Sequence, residues 1–214
     1  MKLSRKQLLL YAVTDKSYAG RQTLYEQVEA ALKGGVTILQ LREKNLDTDA
    51  FVEEAKKIKE LCHRFSVPLI INDSVEVALK CGADGVHLGI EDMPVAEIRK
   101  QVGKEFIIGA TAKTVEQAKF AEESGADYLG VGAVFPSPTK KNAIRITIEQ
   151  LREITSSVSI PVVAIGGIDL KNIEQLRGGG MDGVALVSAI FSAEDIEKRT
   201  AALKSIAARV VEEG

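Results

Sequence analysis

"PVVAIGGIDLKNIEQLRGGGMDGVALVSAI" occupies residues 161–190 and holds two strand-length apolar runs, "PVVAIGGI" (161–168) and "DGVALVS" (182–188), with Asp169 opening a helical stretch between them. Each run is nearly continuous in Val, Ile, Leu and Ala rather than alternating with polar residues, the pattern of a strand covered on both faces and therefore of a parallel sheet. Parallel neighbours need a crossover connection, which is right-handed almost without exception. The same kind of run occurs upstream at 8–15 ("LLLYAVTD"), 36–43 ("VTILQLRE"), 68–73 ("PLIIND"), 84–89 ("DGVHLG"), 105–111 ("EFIIGAT") and 127–135 ("DYLGVGAVF"). Between the runs lie segments of helical periodicity with charged faces, among them 23–35, 48–65, 114–126 and 148–158. Eight strands in one unbroken β-α series predict a single-domain (β/α)8 TIM barrel, with an open doubly wound sheet as the structural competitor. No Pro/Ser-rich linker or low-complexity tract divides the chain, so residues 1–214 are read as one barrel. A weak internal echo, "GADGVHLG", "GADYLGVG" and "GMDGVALVS", is accounted for by repeated helix-to-strand turn chemistry.

Composition narrows the function. A length of 214 residues with 45% hydrophobic content supports one sizeable core, and a formal net charge of -2 argues against a nucleic-acid partner, which would require a clear excess of Lys and Arg. Any anionic ligand must then meet locally clustered cations. The N-terminal stretch "MKLSRKQLLLYAVTD" has a short apolar run and no small-residue cleavage site, and no segment approaches a membrane span, so the reading is a cytoplasmic protein with no membrane partner. Cys62 and Cys81 are too few for a disulfide framework and too far apart for a CxxC pair. Small-molecule substrates are the expected partners, and a homo-oligomer is compatible with the sequence.

In parallel α/β folds, sites form at the carboxyl ends of the strands. There the second run ends in Gln40, Arg42, Glu43 and Lys44, the third in Asn72 and Asp73, and the fourth in His87, leading on to Glu91 and Asp92. The fifth ends in Thr111, the seventh in Gly166 and Gly167, and the eighth in Ser188. Loops after strands seven and eight are the common phosphate site of such barrels, although a lone Gly-Gly pair also serves simply to allow a tight turn. Asp73 and Asp92 close neighbouring strands and could share one magnesium ion, Mg²⁺, while leaving positions for water and phosphate oxygens; either Asp taken alone reads equally well as a helix cap. Arg42, Lys44, Lys140 and Lys141 could converge on a diphosphate, Arg42 in bidentate fashion and the lysines as point charges. The loop after the sixth run, "VGAVFPSPTKKNA" (131–143), carries two of the chain's five prolines beside paired lysines, which stiffens a segment that must order around a ligand. His87 reads as a core or supporting histidine as readily as a general base, and His63 as structural or exposed.

The blocks "TILQLREK" (37–44), "LIIND" (69–73), "ADGVHLGIED" (83–92), "VFPSPTK" (134–140), "PVVAIGGI" and "GVALVSAI" (183–190) together resemble the thiamine-phosphate synthase (thiamine-phosphate pyrophosphorylase) family over nearly the whole chain. The resemblance implies a Mg²⁺-dependent condensation of 4-amino-5-hydroxymethyl-2-methylpyrimidine diphosphate with a thiazole phosphate, plain or carboxylated. The products would be thiamine phosphate and diphosphate, formed by dissociative substitution. It further implies that Gln40, Leu41, Arg42, Glu43, Lys44, Asn72, Thr111 and Lys140 hold the pyrimidine diphosphate. Ser137, Pro138, Thr139, Gly166, Gly167, Val187 and Ser188 would hold the thiazole phosphate, Asp73 and Asp92 would bind the metal, and Lys140, Arg42 and Thr111 would serve catalysis. The chain departs from the family at Ser74, where Arg is common, at Ile90, where Gln is common, at Thr111, where Ser is common, and in a glycine-poor stretch after Lys140 to which Arg145 belongs. A thiazole tautomerase or regulatory paralogue on the same barrel is the alternative.

Overall fold

A computed structural model describes residues 3–18, 20, 22–90, 94–136 and 145–212. Its strands are β1 (Leu10–Val13), β2 (Ile38–Leu41), β3 (Leu69–Asn72), β4 (Gly85–Leu88), β5 (Ile107–Ala112), β6 (Tyr128–Gly132), β7 (Val162–Ile165) and β8 (Gly183–Leu186). Every neighbouring pair is parallel, and β8 returns to β1 through the register Leu10↔Val184 and Tyr11↔Ala185, so the sheet closes on itself as a (β/α)8 barrel. Seven strands fall inside runs marked in the sequence, and β5 extends one residue past its run, to Ala112.

The helices are α1 (Leu24–Lys33), α2 (Thr48–Arg64), α3 (Val75–Cys81), α4 (Val95–Val102), α5 (Val115–Glu123), α6 (Ile148–Ser157), α7 (Ser188–Phe191) and α8 (Ile196–Glu212). Side-chain oxygens start several of them: Thr23 caps α1 and Thr147 caps α6, each in a reciprocal box with Glu26 or Gln150, while Asp47 caps α2 and Thr114 caps α5. The helix expected after Asp169 is replaced by a single 3-10 turn, Ile173–Leu176. The glycine run Gly178–Gly180, with left-handed backbone at Gly178 and Gly180, ends the helical stretch before an α-helix can develop.

Two apolar layers follow from the pleat. Outward residues such as Leu10, Leu39, Leu41, Leu69 and Ile71 pack against the helices. Inward residues Tyr11, Ile38, Ile70, Ile107, Tyr128, Val163 and Ala185, with Leu8 from the turn preceding β1, fill the barrel interior. Packing inside the barrel leaves the carboxyl ends of the strands as the place where polar side chains can gather. Among the described residues no helix is long and apolar enough to cross a membrane.

Candidate active site

Strand pleat decides which residues of "QLREK" reach the cavity at the carboxyl end of the barrel. Gln40, Arg42 and Lys44, two apart, line it. Leu41 points outward into the fully buried layer under the helices, and Glu43 turns away to place its carboxylate 3.1 Å from Lys16 Nζ, which also lies 3.0 Å from Glu54. Of residues 40–44, then, the side chains of Gln40, Arg42 and Lys44 line the cavity and those of Leu41 and Glu43 do not. Burial is the main reason the Glu43 carboxyl is pushed above the usual range. Burial alone would pull Lys16 down, but the hydrogen bonds it donates to Glu54 and Glu43, together with their negative charges, outweigh it and hold the ammonium above the ordinary lysine value.

β3 delivers Asn72 and Asp73 to the same cavity. Asp73 sits at φ 62, in the left-handed region that side chains other than glycine rarely occupy, and its N–H donates to the His87 carbonyl oxygen at 2.9 Å. Asn72 Nδ2 donates to Asp73 Oδ2 at 2.5 Å, which orients the carboxylate. The competing role for Asp73, capping of α3, belongs instead to Ser74, whose hydroxyl accepts the Val77 N–H at 3.2 Å. A serine at this position thus explains itself locally, and a non-glycine residue in left-handed backbone at a cavity edge is the kind of strain that collects at functional sites.

Thr111 from β5 lines the cavity, as does Lys113 two residues on. Lys113 was not singled out from the sequence, although strand periodicity puts it on the face of Thr111. His87 bridges this strand to the barrel interior: its Nε2 lies 3.1 Å from Thr111 Oγ1 and its Nδ1 3.0 Å from the Tyr128 hydroxyl. The Tyr128 and Tyr11 hydroxyls meet at 2.7 Å, and Gln40 Nε2 donates to the Tyr11 hydroxyl at 2.8 Å. Burial raises the pKa of both phenols far above the ordinary tyrosine value, so both keep their protons. Neither tyrosine stood out in the sequence, because a Tyr at an inward position of an apolar strand reads as core.

On the opposite wall, Gly166, Gly167, Val187 and Ser188 line the cavity from the loops after β7 and β8. Gly167 has φ 63, and a Cβ there would lie 2.2 Å from the Pro136 carbonyl oxygen, so glycine alone lets this loop pass beneath the start of the β6 loop. Ser137, Pro138, Thr139, Lys140, Lys141 and Asp92 lie outside the described residues.

Among the described residues that line the cavity, Arg42, Lys44 and Lys113 are cationic and Asp73 is the sole carboxylate. In a chain whose net charge is -2, this local excess of positive charge suits a multiply charged anion. Among the described residues no three His, Cys, Asp or Glu side chains cluster to hold a metal. Asp73 offers one carboxylate on the cavity, a donor set that fits Mg²⁺ where other ligands come from phosphate oxygens and water. Both cysteines are buried, with burial pushing the Cys62 thiol up to about 12 and raising Cys81 as well, far from nucleophilic use.

Residues 10–190 match the model of the family described as "Thiamine monophosphate synthase". The chain is 48% identical over 200 residues to "Thiamine-phosphate synthase 2" of Streptococcus pneumoniae, covering 94% of this chain and 95% of that protein. It is 46% identical over 189 residues to "Thiamine-phosphate synthase" of Clostridium tetani, covering 88% and 90%. Among solved structures, the thiamine phosphate pyrophosphorylase of Pyrococcus furiosus superposes with a TM-score of 0.89 at 42% identity, over 96% of this chain and 98% of that one. A match that spans all eight strands and the residues of the cavity, at this identity, makes the chain a member of the thiamine monophosphate synthase family.

Proposed function

We propose that the protein condenses 4-amino-5-hydroxymethyl-2-methylpyrimidine diphosphate with a thiazole phosphate, releasing diphosphate and forming thiamine phosphate. The observation that carries this reading is one cavity bearing two unlike sides. Arg42, Lys44, Lys113 and Asp73 face it from the ends of β2, β3 and β5, and Gly166, Gly167, Val187 and Ser188 from the loops after β7 and β8. Family membership places the chain among enzymes of transferase type.

In this mechanism Gln40 and Thr111 orient the pyrimidine ring while Arg42, Lys44 and Lys113 draw the diphosphate to the wall beside Asp73. Negative charge grows on the diphosphate as its C–O bond breaks, so those cations stabilise the departing group more than the bound substrate and lower the barrier. The thiazole phosphate is held against the β7 and β8 loops, which aims its ring nitrogen at the carbon that loses diphosphate. No covalent bond to the protein is needed; positioning and electrostatics supply the rate. Asp73, oriented by Asn72, and Asp92 would hold Mg²⁺, which when bound neutralises part of the diphosphate charge. Lys140 would add a further cation, and Ser137, Pro138 and Thr139 further contacts to the thiazole phosphate, from the β6 loop. Retention of Asp73 and the cation set argues against a thiazole tautomerase, which has no diphosphate to neutralise.

The test is direct: incubate the protein with both substrates and Mg²⁺ and measure thiamine phosphate and diphosphate. Equimolar formation of the two is expected, with loss in excess chelator. Product no greater than background, with the protein folded, would overturn the reading.

A further inference from the structure

The side chains of Gln40, Tyr11, Tyr128, His87 and Thr111 form one continuous hydrogen-bonded chain across the barrel interior, joining β2, β1, β6, β4 and β5. Gln40, Tyr11, His87 and Thr111 line the cavity, while Tyr128 lies behind them; Tyr11 is 1% exposed and Tyr128 0%. Room for it is made by two glycines on neighbouring strands. A Cβ at Gly109 would lie 2.1 Å from the Tyr128 ring, and one at Gly130 would lie 3.1 Å from the His87 ring. The two tyrosine rings and the His87 ring also stack obliquely, with centroids 5.8 and 5.5 Å apart, so none of the three has freedom to turn away.

Such a chain has a direction. Gln40 Nε2 can only donate, so the Tyr11 oxygen accepts it, and the Tyr11 proton goes to its other partner, the Tyr128 oxygen. The Tyr128 proton then goes to His87 Nδ1, which must be unprotonated, and leaves the His87 proton on Nε2 to be donated to Thr111 Oγ1. With Gln40 Nε2 directed at Tyr11, reversing the Tyr11–Tyr128 or the Tyr128–His87 link alone would leave a buried hydroxyl proton without an acceptor, at a cost of about 1–3 kcal/mol, and the His87–Thr111 link follows because a neutral imidazole carries one ring proton. At the two ends the direction leaves complementary groups. Gln40 is 5% exposed, and among the described residues its Oε1 accepts no hydrogen bond. The Thr111 hydroxyl accepts from His87 and keeps its own proton to give.

We infer that Tyr11, Tyr128 and His87 are positioning residues that fix the polarity of the cavity floor, with Gln40 presenting an acceptor and Thr111 a donor. A ring that offers an N–H to Gln40 and an unprotonated nitrogen to Thr111 matches both ends, whereas an oxo-substituted ring with the opposite pattern meets like against like. This specificity for a heteroaromatic amine rests on the proposed reaction, but the direction of the chain does not.

The test uses the full chain labelled with ¹⁵N-histidine and carrying His63→Gln, so that His87 gives the only imidazole signal. A long-range ¹H–¹⁵N spectrum at pH 8 is expected to show the single tautomer with the proton on Nε2. A proton on Nδ1, or a mixture of tautomers, overturns the inference. Tyr128→Phe keeps the ring and removes the donor: His87 is expected to lose its single tautomer, and KM for the pyrimidine diphosphate to rise about tenfold, the scale of one lost or misaligned hydrogen bond, with kcat within about twofold. An unchanged KM, or a loss confined to kcat, overturns the positioning role. Should the wild-type chain form no thiamine phosphate, the proposed reaction fails, and the tautomer still decides the direction of the chain.

Discussion

Lys16 Nζ lies 3.1 Å from Glu43 Oε2, and this contact turns Glu43 away from the cavity that Arg42 and Lys44, its neighbours on either side, line. The Glu43 side chain is 3% exposed and Glu54 approaches the same ammonium, so one cation serves two carboxylates behind the β2 loop. Lys16→Met removes that cation and is expected to cost about 1–3 kcal/mol, the penalty of leaving a buried polar group unsatisfied. The loss should depend on pH. Burial already holds the Glu43 carboxyl above its ordinary value, and without Lys16 it rises further. The folded state of the variant then binds a proton that the unfolded chain releases, so its stability is intact below the ordinary glutamate range and falls as pH rises through the raised value. Urea unfolding of both proteins at pH 5 and pH 8 should show the larger deficit at pH 8; an equal deficit at both would refute the assignment.

Asp73 separates charge from backbone. Asn tolerates the left-handed conformation at φ 62 nearly as well as Asp, whereas Ala does not, and the left-handed form costs an ordinary residue about 1–2 kcal/mol. Asp73→Asn should therefore keep the wild-type melting temperature and lose turnover by about a hundredfold or more, the scale of a lost electrostatic stabiliser. Asp73→Ala should lose both turnover and stability. Comparable activity in Asp73→Asn and wild type would refute the proposed role of this carboxylate in holding Mg²⁺.

Gly109 is set by the ring beside it. The Cβ introduced by Gly109→Ala would meet Tyr128 at 2.1 Å in a barrel interior with no spare space, and overpacking of this kind costs about 1–3 kcal/mol. Thermal unfolding should register that loss, and near-ultraviolet circular dichroism should report a displaced tyrosine. Substitution of Gly20, whose Cβ would have nothing within 4 Å, is the matched control.

Thiol chemistry checks the burial of the outer layer. With Cys62 fully buried and its thiol pushed up to about 12, and Cys81 also buried and raised, the thiolate is scarce at pH 8. Ellman's reagent should find almost no rapidly reacting thiol in the native protein and two in guanidinium chloride. Rapid native reaction would show that the helices around β3 and β4 open far more readily than their packing implies.

The eight apolar runs and their charged helical separators are local features. Local features are what backbone propensity and side-chain periodicity encode, so barrel architecture could be read from them directly. The strand-end polar residues were legible for the same reason, since parallel sheets put their sites at carboxyl ends. The motif blocks also carried the family. What the sequence leaves open is decided by contacts between distant segments. Period two along β2 offers two faces, and only the ion pair between Lys16 and Glu43 and the packing of Leu41 under the helices settle which face Gln40, Arg42 and Lys44 share. The capping alternative for Asp73 stayed open until Ser74 took the Val77 N–H. Tyr11 and Tyr128 are 117 residues apart and become partners only when β8 closes onto β1 and places both inside one barrel, where both phenols are buried and each finds the other.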